Sequence, residues 1–176
     1  MTLYHGSATP GITVLDPRFS NPKDPHIYLT DCPALAVIYA HNPVKGGYFP
    51  YFFDKEGQLC YEEYFPNALD LYKGFGGYVY TAEAEGLPQR ENMPWAYKSA
   101  APIPVTGCRS IPDLYGELLR LEESGELRII RFRDLTEQKL QGIYKMLHRE
   151  AQRESLKDHP ESEYAQFYQA HFPFLL

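Results

Sequence analysis

Two short stretches near the N-terminus hold side chains able to do chemistry. In "YHGS" the imidazole of His5 is followed by Gly6, which has no side chain to keep a ligand from the backbone, and by the hydroxyl of Ser7. In "IYLTDCPALAVIYA" Tyr28 and Tyr39 are separated by ten residues. Two tyrosines that reach one cleft from two sides can hold a flat aromatic ring, worth about 1 kcal/mol beyond the area buried. Each group also has a plainer reading. A lone strand histidine is usually a satisfied structural residue, and paired tyrosines usually pack a core. "YEEY" adds adjacent carboxylates, Glu62 and Glu63, but neighbours on a strand point to opposite faces. They are expected as one exposed and one rim residue, a poor acid/base pair.

The elements that must position these residues follow from pattern. "TLYHGS" reads as a strand, and the next 18 residues carry four prolines and one glycine, which excludes a helix. That connection holds one brief ordered stretch at "ITVL". "HIYLT" is a strand, Asp31 caps a helix with Pro33 early in it, and Asn42-Pro43 stops that helix. "YFFD" and "QLCYEEYF" flank a hairpin at "KEG", and "NALDLY" is a short helix. "GGYVYTAEA" alternates as a strand, "GLPQRENMP" is a loop, "WAYKS" is a strand and "PIPVTGCRSI" is extended.

The last third turns helical. "PDLYGELLRLEES" carries an apolar stripe ended by Gly125, and "ELRIIRF" is a strand. Asp134 and Glu137 resemble a capping box for a helix over 135–153, and Asp158-His159-Pro160 opens a final helix. Strands first and helices later, with no βαβ rhythm, predict an α+β fold with a largely antiparallel sheet. The expected organisation is one domain, its body at 1–134 and its helical cap at 135–176.

Composition narrows the class. The chain has 176 residues, 44% of them hydrophobic and 23% charged, ordinary values for a globular domain. A net charge of −6 with no basic run argues against nucleic acid as the main partner. No leader pattern and no long apolar stretch occurs, so neither secretion nor membrane insertion is expected. Three scattered cysteines without a CxxC pair suggest reduced thiols in a cytoplasm and no zinc site. The 15 tyrosines and 10 phenylalanines suit stacking surfaces, or simply a core. Neither a dinucleotide glycine fingerprint, a phosphate-binding P-loop, H-E-x-x-H nor G-x-S-x-G is present.

Together "LYHGS", "ITVLDP" and "IYLTDCPALAVIYA" resemble the N-terminal half of the ADP-ribosyltransferase fold, in the diphtheria-toxin and poly(ADP-ribose) polymerase branch. The resemblance is close over about the first 40 residues and holds in outline beyond them. It implies a split antiparallel β core of two small sheets with flanking helices, and NAD bound in a cleft between the sheets. It further implies that nicotinamide stacks between Tyr28 and Tyr39, that Gly6 and Ser7 bond its carboxamide, and that His5 holds a ribose hydroxyl. Active relatives place a glutamate on a later strand, and in this chain that register falls on Ala96 of "WAYKS". Glu91 is the nearest carboxylate in sequence and the provisional substitute.

Three functions remain open at this point. One is a mono-ADP-ribosyltransferase or NAD glycohydrolase, of low activity because of Ala96, acting on an acceptor the sequence does not name. Another is a module that binds NAD, ADP-ribose or a related nucleotide without turnover. The last is a protein-interaction domain on the same fold. A carboxylate within hydrogen-bond reach of the bound ribose separates the first from the second.

Overall fold

The computed structural model describes residues 1–17, 25–44, 48–91 and 93–176. Residues 18–24 of the expected proline-rich connection, Gly46 and Gly47 before the hairpin, and Asn92 lie outside them. In chain order the first elements are β1 (Thr2–Ser7), β2 (Val14–Leu15), β3 (Ile27–Thr30), α1 (Pro33–Tyr39), β4 (Tyr51–Phe53) and β5 (Leu59–Glu62). A 3-10 turn at Ala68–Tyr72 leads to β6 (Gly77–Glu83), β7 (Gln89–Arg90), β8 (Met93–Ser99), β9 (Ile103–Pro104) and β10 (Gly107–Ile111). Then come α2 (Leu114–Glu123), β11 (Arg128–Ile130), α3 (Glu137–Arg153) and α4 (Glu163–His171). The fold is α+β. Among the described residues no helix is long and apolar enough to cross a membrane.

The chain divides into two compact units, Met1–His41 with Tyr72–Glu126, and Asn42–Leu71 with Leu127–Leu176. These boundaries differ from the expected division at 134, because α3 and α4 share a unit with residues 42–71.

The first unit holds a six-stranded antiparallel sheet in the order β10-β6-β1-β3-β8-β7, with β2 and β9 paired separately. One face of this sheet buries Leu3, Ile27, Leu29, Ala82 and Tyr97 together with Leu15 and Ile103. Helix α1 covers the other face, its residues Ala34 to Ile38 all buried. Strand β1 pairs with β6 along its whole length but with β3 only at Tyr4↔Thr30. The sheet is therefore held at its middle by a single register pair.

Several expected boundaries move. The N-cap of α1 is Cys32, with no side-chain cap, while the Asp31 carboxylate accepts from the Tyr97 hydroxyl at 3.2 Å. Thr30 Oγ1 takes the Cys32 N–H instead, at 3.1 Å. Helix α3 is capped by Thr136, since Asp134 is spent in a 3-10 turn, and α4 is capped by Ser162. The expected loop at "GLPQRENMP" contains an edge strand, β7.

In the second unit β5 lies between β4 and a parallel β11. Tyr48, Phe65, Tyr164, Phe167, Tyr168 and Phe172 are buried there with Ile143, Leu147 and Ala151. Much of the aromatic surplus is thus core. The expectation of one exposed and one rim carboxylate at 62 and 63 is overturned, since Glu62 and Glu63 are 3% and 4% exposed. Each has a partner that offsets its burial. Glu62 pairs with Lys139 at 3.2 Å, and Glu63 accepts the backbone N–H groups of Leu69 and Phe132, both at 3.1 Å.

His171 stacks on Phe65 with ring centroids 3.9 Å apart, and burial holds its pKa below the usual imidazole value. The unfolded chain then takes up a proton near pH ~6.5 before the folded chain does, so protonation favours unfolding. Stability conferred at this site is complete above that pH and falls as pH drops through it. Thermal melts between pH 7.5 and 5.5 should show a steeper loss for the wild type than for His171→Gln. Parallel slopes would contradict this.

Candidate functional site

The single register pair between β1 and β3 has a local cause. His5 Nδ1 lies 2.9 Å from the backbone oxygen of Tyr28. A carbonyl only accepts, so Nδ1 carries a proton and donates it to Tyr28. Met1 exchanges backbone hydrogen bonds with Ala84, just past β6, and alternation along an antiparallel strand then turns the N–H and C=O of Gly6 toward β3. Continued from Tyr4↔Thr30, the ladder would bring the Tyr28 carbonyl to the Gly6 N–H. The imidazole of His5 holds that carbonyl instead. A side-chain contact thus stands beside Gly6 where the ladder between the two strands ends.

A cavity of about 170 Å³ opens next to this contact, lined by His5, Ile12, Leu15, Asp16, His26, Ile27 and Tyr28. That is below the ~300–1,000 Å³ of sites that engulf a drug-sized ligand, so it suits one ring or sugar of a larger molecule. Its wall is braced by Tyr80, whose hydroxyl donates to the Thr9 carbonyl at 2.7 Å and accepts the Ile12 N–H at 3.3 Å.

Of the residues expected at the site, His5 and Tyr28 share this cavity. Tyr39 is not among its lining residues; it ends α1 and is 38% exposed. Its backbone does approach Gly6. A Cβ on Gly6 would lie 2.6 Å from the Tyr39 carbonyl carbon and 2.6 Å from the Ala40 nitrogen, and closer still to the Ala36 oxygen. The missing side chain of Gly6 therefore admits helix α1. Ser7 Oγ accepts the N–H of Thr9 at 3.1 Å, a local turn contact. Glu91 is exposed in the turn after β7.

Ala96 stands opposite Thr30 on β8, and two residues along the same face Lys98 stands opposite Tyr28. The Arg90 guanidinium lies 5.1 Å from the centroid of the Tyr28 ring, and the His26 ring lies 6.4 Å from it. Two basic residues, Arg90 and Lys98, thus flank Tyr28. The carboxylate on the cavity wall is Asp16. Sequence reasoning passed over both Asp16 and Arg90. Asp16 sits in a proline-rich connection and reaches the cavity through the distant pairing of Val14 and Leu15 with Pro104 and Ile103. The one available signal for Arg90 was a cation next to a strand, which is weak.

Burial raises the Cys32 thiol, which makes it a poor thiolate nucleophile. Among the described residues no group of three or more His, Cys, Asp or Glu side chains is arranged to hold a metal ion. Comparison with known protein families, with curated proteins and with solved structures finds no match.

Proposed function

We propose that this chain is a nucleotide-binding module of ADP-ribosyltransferase-like design, holding NAD, ADP-ribose or a related nucleotide without splitting it. The observation that supports this reading is the charge at Tyr28. Arg90 lies on its ring and Lys98 stands opposite it, while neutral Ala96 occupies the position that the resemblance gives to a glutamate. Cleavage of a nicotinamide–ribose bond builds positive charge on the sugar. A carboxylate stabilises that charge, and loss of such a preorganised group costs roughly 10²–10³ in rate. Nearby cations work in the opposite direction. They do, however, attract the phosphates of a nucleotide.

In this reading the His5 ring, fixed by Tyr28, holds a ribose hydroxyl at the cavity wall. The Gly6 backbone, turned toward β3, bonds a carboxamide or base edge. Asp16 supports a second reading, because it brings a carboxylate into the cavity that His5 lines. If Asp16 serves as the missing acid, the chain turns NAD over.

Calorimetric titration together with labelled NAD tests both readings. His5→Ala should weaken nucleotide binding about tenfold, the size of one good polar contact, and leave the melting temperature nearly unchanged. Nicotinamide release should stay at the uncatalysed background. Release well above background that Asp16→Asn abolishes would replace the binding module by the enzyme.

A further inference from the structure

We infer that the cleft discriminates by ligand charge, accepting phosphate-bearing nucleotides that lack a pyridinium and disfavouring oxidised NAD. This rests on the nucleotide-binding reading above and names the ligand class for the same site.

The argument starts at the face of Tyr28. An aromatic face is electron-rich and attracts cations, including the positively charged ring of oxidised nicotinamide. In this chain a guanidinium already lies there, with the Arg90 carbon 5.1 Å from the ring centroid. Lys98 adds a second charge from the directly opposed position on β8. Directly opposed residues on one face have their Cβ atoms only about 5 Å apart, so the ammonium stem starts beside the ring. The His26 ring lies 6.4 Å away, on the flank of the same tyrosine.

A pyridinium brought against Tyr28 must therefore enter a region that already carries two permanent cations. Asp16 on the cavity wall offsets part of this, and Glu91, exposed beside Arg90 in the chain, can offset a little more. Phosphate oxygens meet the reverse situation. Arginine and lysine both bind them, and arginine does so through two parallel N–H bonds. A ligand such as ADP-ribose offers two phosphates and no ring cation. Reduced NAD provides a matched comparison, since it has almost the size and shape of oxidised NAD but an uncharged nicotinamide.

The experiment titrates the full chain with ADP-ribose, reduced NAD and oxidised NAD at low salt, then repeats the series with R90Q/K98Q. ADP-ribose and reduced NAD should each bind about tenfold tighter than oxidised NAD, a modest gap set by screening at half-exposed charges. In the double variant the preference should shrink to about twofold or less, and about 0.5 M salt should shrink it in the wild type. Equal affinity of the wild type for the two forms of NAD, with His5→Ala weakening both, overturns this inference and leaves the binding module standing. Binding of none of the three ligands overturns both. Should the double variant fail to fold, the wild-type comparison of reduced with oxidised NAD decides alone.

Discussion

Gly6→Ala is expected to lower the melting temperature by about 6–12 °C, equivalent to roughly 3 kcal/mol of overpacking in a chain of this size. The added methyl would collide with main-chain atoms of Ala36, Tyr39 and Ala40, none of which can rotate away as a side-chain tip would. Relief requires lifting α1 from β1, and the buried residues Ala34 to Ile38 would lose part of their packing with it. Circular-dichroism melts measure this directly. If the glycine served only to let a ligand near the backbone, Gly6→Ala would melt like the wild type and lose binding alone. Ser7→Ala is the control, since its half-exposed hydroxyl serves one local turn.

Ala96→Glu is expected to raise nicotinamide release from NAD about 100-fold over wild type, the scale of one preorganised electrostatic group. The position tolerates the change because Ala96 is only half-buried and lies on the face that carries Lys98, which offers the new carboxylate a partner. The substitution should also tighten binding of oxidised NAD, by offsetting positive charge near Tyr28. Labelled NAD, with released nicotinamide counted over time, gives the rate. An unchanged rate alongside normal folding would place residue 96 out of reach of the scissile bond and would discard the transferase comparison for β8.

What sequence reasoning reached was set by local pattern. Alternation marked β6, β-branched and aromatic residues between turn signals marked β3, and an apolar stripe closed by Gly125, which adopts φ +78°, marked α2. That His5, Tyr28 and Tyr39 share one cleft was an expectation from the resemblance of their motifs; His5 and Tyr28 line one cavity and Tyr39 is not among its lining residues. Failures came where a partner far along the chain decides. Glu62 ends the middle strand of a three-stranded sheet and Glu63 follows it, where Lys139 and the backbone at Phe132 reach them from beyond residue 130. No local alternation can announce that both faces are covered. Arg90 matters only because β7 joins the sheet edge and brings it over a ring 62 positions earlier in sequence. Caps were missed by a residue or two where polar candidates crowd together, as at Asp134 and Thr136.

The order of the strands has a consequence for synthesis. β1 pairs along its whole length with β6, and Met1 just before it bonds Ala84. A ribosome delivering this chain must therefore extrude residues 42–71, which belong to the other unit, before the opening strand meets its main neighbour. Until then β1 is an open edge on a nascent chain, a natural target for a holding chaperone.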